Sequence, residues 1–262
     1  MIKAIDLKKV TELTMCETHG EFEKVFIQIS DGMRVPSNDG GYCPRCASEK
    51  LEKLAIDQKN QRIEHETQQV IYRTEHFAKQ IPKRFQNATL ENYITSNEQQ
   101  VSALNLCKKY LSSYKSRISE SGGGLILTGK VGTGKTHIAI GLGKLIAEQF
   151  AYVNYISLTS LVREIRSTWN DPNKHEETII SNYQNTGMLI VDEIGVQNGT
   201  ENERNILFEI IDGRYQRILP TIIISNLSID EVSQMISQRS VDRITQGGAI
   251  IPFDWVSHRG SL

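Results

Sequence analysis

The fold is decided by the stretch Gly129-Lys130-Val131-Gly132-Thr133-Gly134-Lys135-Thr136, a complete match to the spacing G-x-x-x-x-G-K-[ST]. Glycines let a loop turn its backbone N–H groups inward onto phosphate oxygens. Lys135 supplies a positive charge for the β- and γ-phosphates, and the Thr136 hydroxyl suits a Mg²⁺ ligand. The whole stretch is therefore predicted to bind a nucleoside triphosphate such as ATP.

The flanking residues agree with this interpretation. Gly124–Thr128 predicts a short buried strand running into the loop, and His137–Ile146 predicts a helix leaving it. The N-terminal end of such a helix faces the phosphates with its positive dipole end. A chance cluster of glycines in a flexible loop would lack this strand–loop–helix context.

Composition bounds the remaining possibilities. The 262 residues include 30 Lys and Arg against 31 Asp and Glu, a net charge of -1. Nucleic-acid binding would therefore depend on a local basic patch. No apolar run is long enough for a membrane span, and Met1–Asp6 does not resemble a secretion signal. We expect a cytoplasmic protein without membrane contact, in which the four cysteines stay reduced.

Three regions differ in composition. Residues 1–46 hold three cysteines, an alternating strand-like run Phe22–Ile29 and turns at Asp31-Gly32 and Asp39–Gly41. Residues 47–80 are charged and poor in apolar side chains, which predicts a solvated helical linker. From residue 81 to 262, strands alternate with helices. That alternation predicts an α/β domain with a central parallel sheet covered on both faces.

Specific elements are predicted within residues 81–262. Ile81-Pro82 ends the linker, and Ser96–Glu98 can cap a helix. The apolar face of that helix is predicted to carry Val101, Leu104, Cys107, Leu111 and Tyr114, with Cys107 in the core. The predicted strands are Leu125–Thr128, Tyr152–Ser157, Met188–Val191, Thr221–Ser225 and Ala249–Phe253.

Two short motifs near the N-terminus predict a metal site. Cys16, His19, Cys43 and Cys46 form the pattern C-x₂-H…C-x₂-C. Three thiolates and one imidazole complete the tetrahedral shell of a structural Zn²⁺. A module of about 45 residues buries little core, so the metal would supply much of its folding free energy. The alternative is a set of independent thiols with a surface histidine. A catalytic zinc fits less well, because four protein ligands leave no open position.

The two histidines of the charged stretch, His65 and His76, are predicted to be solvated rather than metal ligands.

A second nucleotide-site motif follows the first. Met188–Val191 is an apolar strand that ends in Asp192 and Glu193. Asp192 is predicted to hold the Mg²⁺ water shell and Glu193 to orient or polarise the attacking water. An acidic turn after a strand is common by itself. Here it follows the phosphate loop with the extra strand Tyr152–Ser157 between them, which is typical of P-loop proteins that hydrolyse ATP.

Two later segments have two interpretations each. Asn226 follows a buried strand and could sense the γ-phosphate or simply cap a helix. Arg239 and Arg243 lie about one turn apart on a predicted helix. They form either a salt-bridged surface or an arginine finger for a neighbouring subunit, which implies head-to-tail assembly.

Together these residues resemble the DnaC/IstB-like family of AAA+ ATPases, and in particular the DnaC-type loaders of replicative helicases, including phage and prophage forms. Further segments carry the resemblance: Ile81–Phe85, Thr89–Tyr93, Gly213–Tyr215, Val241–Ile244 and Phe253–Arg259. The resemblance implies that Asn226 is the sensor, that Arg243 is the arginine finger and that Arg259 is a candidate for a second sensing or interface role. A Cys/His module is not common in the family.

The resemblance also implies a function. An ATP-bound, self-associated loader would engage the hexameric replicative helicase through its N-terminal part and hold single-stranded DNA, and hydrolysis would release it. Candidate DNA contacts are Arg163, Arg166 and Lys174, although surface solubility explains them equally well. The alternatives are an IstB-type transposition helper that binds duplex DNA and a transposase, and a non-hydrolysing adaptor that uses zinc to bind DNA.

Overall fold

A computed structural model describes residues 8–29, 33–36, 43–171, 173–195 and 200–257. The chain divides into two compact units, one ending at Gln68 and the other beginning at Gln69. This division falls inside the segment 47–80. Each unit is described by itself.

The first unit contains an antiparallel hairpin. Strand β1, Lys8–Cys16, pairs with β2, Gly20–Gln28, from Lys8 opposite Gln28 to Cys16 opposite Gly20. A short third strand, β3 (Arg34–Pro36), lies beside β2. The strand predicted around residues 22–29 is therefore confirmed. The turns predicted at residues 31–32 and 39–41 lie outside the described residues.

A single helix, α1 (Pro44–Gln80), follows the hairpin. Proline suits its first position, because the first N–H groups of a helix have no intrahelical partner. The predicted helix is confirmed, and His65 is exposed as expected. The expectation of a solvated helix is wrong at its C-terminal end, where Phe77 is 1% exposed in the core of the second unit.

His76 differs from the sequence-based expectation for the same reason. Its Nε2 lies 2.7 Å from Asn154 Oδ1, and its ring is partly buried. The prediction rested on the low number of apolar residues in this segment, but one turn of the charged helix packs against the sheet.

The second unit is an α/β layer structure around a five-stranded sheet in the order β5-β6-β7-β4-β8, with every pair parallel. The strands are β4 (Leu125–Gly129), β5 (Val153–Ser157), β6 (Met188–Ile194), β7 (Thr221–Ser225) and β8 (Ala249–Phe253). The predicted parallel sheet is confirmed. The strand that separates β4 from β6 is β7, whereas β5 lies at the edge of the sheet.

Helices cover both faces of this sheet. They are α2 (Glu98–Ser112), α3 (Ser119–Ser121), α4 (Lys135–Gln149), α5 (Leu158–Arg166), α6 (Glu176–Asn185), α7 (Glu201–Gln216), α8 (Ile229–Ile236) and α9 (Gln238–Thr245). Single turns of other helix types lie at Lys83–Phe85, Tyr114–Ile118 and Ser167–Asn170. Alternate residues of β4 enter two apolar clusters, one against α2 and α4 and one against α5 to α9.

Among the described helices, none is long and apolar enough to cross a bilayer.

The predicted cap of α2 is confirmed, but its buried face is rotated from the prediction. The Asn97 side chain accepts a hydrogen bond from the Gln100 backbone N–H, and the Gln100 side chain accepts one from the Asn97 backbone N–H, which forms a capping box. Cys107 is fully buried as expected, but Val101 is 44% exposed and Tyr110 takes a core position. The hydroxyl of Tyr110 donates to the Gly123 carbonyl at 2.8 Å, which satisfies a buried polar atom.

Candidate functional site

The phosphate-binding loop joins the end of β4 to the start of α4. Gly129 and Gly134 have φ values of +114° and +94°, a region that favours glycine. A Cβ at Gly129 would lie 2.5 Å from the Phe253 carbonyl oxygen, and one at Gly134 would lie 2.5 Å from a Tyr93 ring carbon. Both glycines are therefore required by conformation and by space.

Lys135 begins α4 and turns back over the loop. Its Nζ donates to the carbonyl oxygens of Gly129 and Lys130, both at 2.6 Å. Within the loop, Thr133 is fully buried, whereas Val131 is 55% exposed. The predicted phosphate-binding residues thus surround one helix N-terminus, the arrangement that favours phosphate.

Asp192 and Thr136 lie together, as the magnesium prediction requires. The Thr136 hydroxyl donates to Asp192 Oδ2 at 2.9 Å, and the Glu193 N–H donates to Asp192 Oδ1 at 2.7 Å. Asp192 is buried. A hydroxyl and a carboxylate are the hard oxygen ligands that Mg²⁺ prefers, so these two residues fit that ion.

Glu193 has an unusual backbone. Its φ is +61°, and the pairing of β6 with β7 is irregular between Val191 and Ile194. A non-glycine residue in the left-handed region costs about 1–3 kcal/mol, and such residues cluster at functional sites. The bulge leaves the Glu193 side chain exposed beside the buried Asp192.

Tyr155, at the sheet edge on β5, contacts Asp192 and was not predicted. Its hydroxyl donates to Asp192 Oδ2 at 2.8 Å. Burial, followed by the nearby Asp192 carboxylate, raises the pKa of the Tyr155 hydroxyl far above its ordinary value. The only sequence signal was a tyrosine in a predicted strand.

Two aromatic side chains clamp the phosphate loop from distant parts of the chain. Tyr93 Oη and Trp255 Nε1 both donate to the Thr133 carbonyl, at 2.9 and 3.0 Å. The Lys130 N–H donates to the Phe253 carbonyl at 3.0 Å. Burial raises the pKa of Tyr93 to about 12. In the sequence, the segments that hold Tyr93 and Trp255 were recognisable only by their resemblance to the family. In the structure, both segments hold the phosphate loop in place.

Asn226 follows β7 and is exposed at the carboxyl edge of the sheet. The next helix, α8, is capped by Ser228, whose side chain accepts from the Glu231 N–H. The helix-cap interpretation of Asn226 is therefore excluded. Since β7 lies between β4 and β6, Asn226 follows the strand between the phosphate loop and Asp192.

Arg243 lies on α9, near the amino ends of the strands, whereas the phosphate loop lies at their carboxyl ends. It forms an ion pair with Asp212, and its guanidinium carbon is 4.9 Å from the centre of the Tyr215 ring. The neighbouring Ile244 carbonyl accepts from the Gly124 N–H at 2.6 Å, just before β4 begins. The phosphate loop is at the other end of that strand. Arg239 is exposed on the same helix, and Arg259 lies outside the described residues.

The four predicted metal ligands converge in the first unit. The ligand atoms of Cys16, His19, Cys43 and Cys46 all lie within 4.8 Å of one another. The Cys16 and Cys46 sulfurs are 3.5 Å apart, and His19 Nδ1 is 3.8 Å from Cys43 Sγ. Tetrahedral Zn²⁺ with bonds of about 2.3 Å to sulfur separates its sulfurs by about 3.8 Å. The cluster is compatible with zinc.

Glu49 completes this cluster and was not predicted. Its Oε1 accepts from His19 Nε2 at 2.9 Å, which leaves Nδ1 facing the thiols. A metal-binding histidine commonly donates its other N–H to a carboxylate in this way. The backbone N–H groups of Thr18 and His19 lower the pKa of the Cys16 thiol to about 6, which favours the thiolate that binds metal.

Loss of a ligand is expected to remove zinc and unfold the first unit. We predict about one zinc per full-length wild-type chain and less than about a tenth of that for Cys46→Ser, because a three-ligand site binds far more weakly. Metal analysis and limited proteolysis of residues 8–43 measure the two effects. Cys107→Ala is the matched control, since Cys107 lies in the other unit's core. Full zinc content in Cys46→Ser would refute the site.

The strand order and the site define the class of protein. A strand lies between the phosphate-loop strand and the strand that ends in Asp192 and Glu193, and the loop opens at the carboxyl edge where both strands end. This is the arrangement of AAA+ ATP-binding proteins.

The family follows from sequence. The chain belongs to the IstB-like ATP-binding protein family, which matches it over residues 50–259. The Cys/His cluster lies before that match. The replicative helicase loader DnaC of Escherichia coli (strain K12) is 29% identical over 178 residues, 68% of this chain and 71% of that protein. The DnaC of Buchnera aphidicola subsp. Baizongia pistaciae is 28% identical over 184 residues, 70% of this chain and 73% of that protein.

Solved structures agree on the fold. The crystal structure of the DnaC helicase loader has a TM-score of 0.58 at 21% identity, covering 66% of this chain and 100% of that one. The crystal structure of DnaI has a TM-score of 0.56 at 18% identity, with 68% and 94% covered. The predicted resemblance to the DnaC/IstB-like family is confirmed.

Proposed function

We propose that this protein is an ATP-hydrolysing loader that delivers a hexameric replicative helicase to single-stranded DNA during replication. The observation that carries the proposal is an intact nucleotide site on a chain similar to DnaC over 178 residues. ATP can drive such a cycle only by binding one assembly state more tightly than another. Hydrolysis would then release the loader.

The proposed hydrolysis uses residues gathered at one edge of the sheet. Lys135 binds the β- and γ-phosphates, while Thr136 and Asp192 hold Mg²⁺. When bound, Mg²⁺ neutralises charge on the phosphate oxygens. Glu193 accepts a hydrogen bond from the attacking water and orients it. The exposure of Asn226 at the same edge supports its role as the sensor of the γ-phosphate.

Arg243 is proposed to act on a neighbouring copy. It lies at the edge of the sheet opposite the phosphate loop, and the five residues of β4 separate the two edges by about 16 Å. Its own site is therefore out of reach. A side chain that completes a neighbour's site implies a head-to-tail interface, in which two different surfaces meet.

The helicase is proposed to contact the face of the hairpin that carries Leu13 and Met15, whose cross-strand partners are Glu23 and Glu21. Leu13 and Met15 are 72% and 66% exposed, and Val35 is also exposed. The register places all three on one face of the sheet, because odd-numbered residues of the three strands are paired. The two neighbouring apolar side chains, Leu13 and Met15, would add buried apolar area to a contact with a partner that binds this face.

Single-stranded DNA is proposed to lie along α5 and the segment after it. Arg163 and Arg166 are exposed there, and Trp169 is 62% exposed and suited to stack on a base. Lys174 is also exposed, although its ammonium lies 3.6 Å from Asp171.

The test is co-purification of the full chain with a hexameric replicative helicase, with ATP, Mg²⁺ and a single strand present. We expect a stable complex that weakens at least about tenfold when Leu13 and Met15 are both replaced by Asp, because charge is costly in a buried apolar contact. Lys8→Asp, on the opposite face of β1, is the matched control. ATPase activity should be unchanged in both variants.

Failure of the wild-type chain to bind any helicase would overturn the proposal. Co-purification with a transposase on duplex DNA would instead identify a transposition helper, the alternative that the IstB-like family match favours.

A further inference from the structure

The Asp192 carboxylate is held from three directions. Its Oδ1 accepts from the Glu193 N–H, and its Oδ2 accepts from both the Thr136 hydroxyl and the Tyr155 hydroxyl. Two of these donors belong to the nucleotide site already described. Tyr155 reaches the carboxylate from the edge strand β5 and has no place in the proposed chemistry.

We propose that Tyr155 is a positioning residue for magnesium binding: its hydroxyl fixes the direction of the Asp192 carboxylate, so that the carboxylate is already oriented when Mg²⁺ arrives with ATP. This inference rests on the proposed function, since it assumes that Asp192 serves a Mg²⁺ site. An oriented carboxylate loses less rotational freedom on binding, which raises affinity.

Tyr155 is itself held in place. Its backbone N–H donates to Gln80 Oε1 at 2.7 Å, and the Gln80 side-chain amide donates to Asn154 Oδ1 at 3.0 Å. The tyrosine is thus fixed at its backbone by the last turn of α1 and at its hydroxyl by Asp192.

A second tyrosine near Tyr155 offers a matched control. A cavity of about 710 Å³ is lined by both Tyr155 and Tyr183, together with Glu164 and Glu193. The Tyr183 hydroxyl donates to Glu164 Oε2 at 2.6 Å. Tyr183 therefore resembles Tyr155 in burial and in having a carboxylate partner, but its partner is not a predicted magnesium ligand.

The decisive variant is Tyr155→Phe, which removes one oxygen and keeps the ring. We expect the Mg²⁺ concentration for half-maximal ATP binding and turnover to rise about tenfold, the usual effect of losing a partner behind a metal ligand. The rate at saturating Mg²⁺ should stay within about twofold of wild type, and nucleotide binding in EDTA should not change. Tyr183→Phe should leave the Mg²⁺ dependence at the wild-type value.

A double-mutant cycle separates positioning from general stabilisation. If Tyr155 acts through Asp192, Tyr155→Phe should have no further effect on Mg²⁺ dependence in an Asp192→Asn background. An unchanged Mg²⁺ dependence in Tyr155→Phe, or an equal shift in Tyr183→Phe, would overturn the inference. A lower melting temperature with normal Mg²⁺ dependence would also overturn it, because the bond would then be merely structural.

The two proposals fail in different ways. Mg²⁺-dependent nucleotide binding is measured without helicase, so loss of the loader function leaves this test intact. Nucleotide binding by the wild-type chain that is indifferent to Mg²⁺ would overturn both the inference and the proposed hydrolysis.

Discussion

Glu193→Gln is expected to lower the rate of ATP hydrolysis by at least about 10²-fold while leaving ATP affinity unchanged, because removing a positioned general base typically costs 10²–10⁴ in rate. The amide keeps the shape of the side chain but cannot accept a proton from water. Because the Glu193 side chain is exposed, the substitution costs little packing, and its effect should fall on turnover.

Steady-state hydrolysis and equilibrium nucleotide binding of the full chain measure the two effects. The variant should also accumulate in ATP-bound complexes with helicase, which size-exclusion chromatography would detect. Glu164→Gln is the control, since Glu164 lines the same cavity without adjoining Asp192. Wild-type turnover in Glu193→Gln would show that Glu193 does not activate the attacking water. Unchanged helicase loading by this variant despite lost turnover would instead favour the non-hydrolysing adaptor.

Glu193→Gln also tests whether neighbouring copies of the chain share one ATP site. Arg243→Ala should also be inactive, because each site would lack its neighbour's arginine. In an equal mixture of the two variants, about a quarter of the interfaces combine an intact Glu193 with an intact Arg243, so about a quarter of the wild-type rate should return. No recovery on mixing would argue that Arg243 serves only its ion pair with Asp212.

Arg214→Met is expected to destabilise the second unit by at least about 3 kcal/mol, because four buried oxygens lose the charged donor that they share and each buried unsatisfied group costs about 1–3 kcal/mol. Arg214 is 0% exposed. Its guanidinium donates to the Thr221 hydroxyl at 2.9 Å, to the Tyr183 and Thr186 carbonyls, both at 2.7 Å, and to the Pro220 carbonyl at 2.5 Å. Methionine fills similar space but leaves these oxygens without their donor.

Burial lowers the pKa of Arg214 to about 9, so it stays charged at neutral pH. Urea unfolding followed by circular dichroism measures the loss of stability. Arg217→Met is the control, because Arg217 is exposed on the same helix end and its change should stay within about 0.5 kcal/mol. A similarly small effect of Arg214→Met would show that the buried oxygens find water or other partners.

The features that sequence predicted are local ones. The strands, the phosphate loop and the carboxylate pair after β6 each depend on residue type and spacing within about ten positions. The C-x₂-H and C-x₂-C pairs are equally local. Because a structural Zn²⁺ takes four ligands and each pair supplies two, the two pairs are expected to come together at one site.

The features that sequence missed join distant residues. Tyr155 and Asp192 are 37 positions apart, and Trp255 and Thr133 are 122 apart. Arg214 was recognisable in the sequence only as part of the family resemblance. The residues next to it in the sequence do not indicate that its guanidinium is buried among carbonyl oxygens. The buried face of α2 was predicted from apolar spacing alone, and Val101 lost its core position because the helix turns Tyr110 inward.

The aromatic clamp has a consequence for how the protein is made. The strand β8 pairs with β4 along its whole length, and Trp255 follows two residues after β8 ends. A ribosome makes Tyr93 and the phosphate loop long before it makes these residues, and domains fold as their chains emerge. A nascent chain can therefore brace its phosphate loop through Tyr93 alone, and the second brace forms only after β8 and Trp255 have left the exit tunnel.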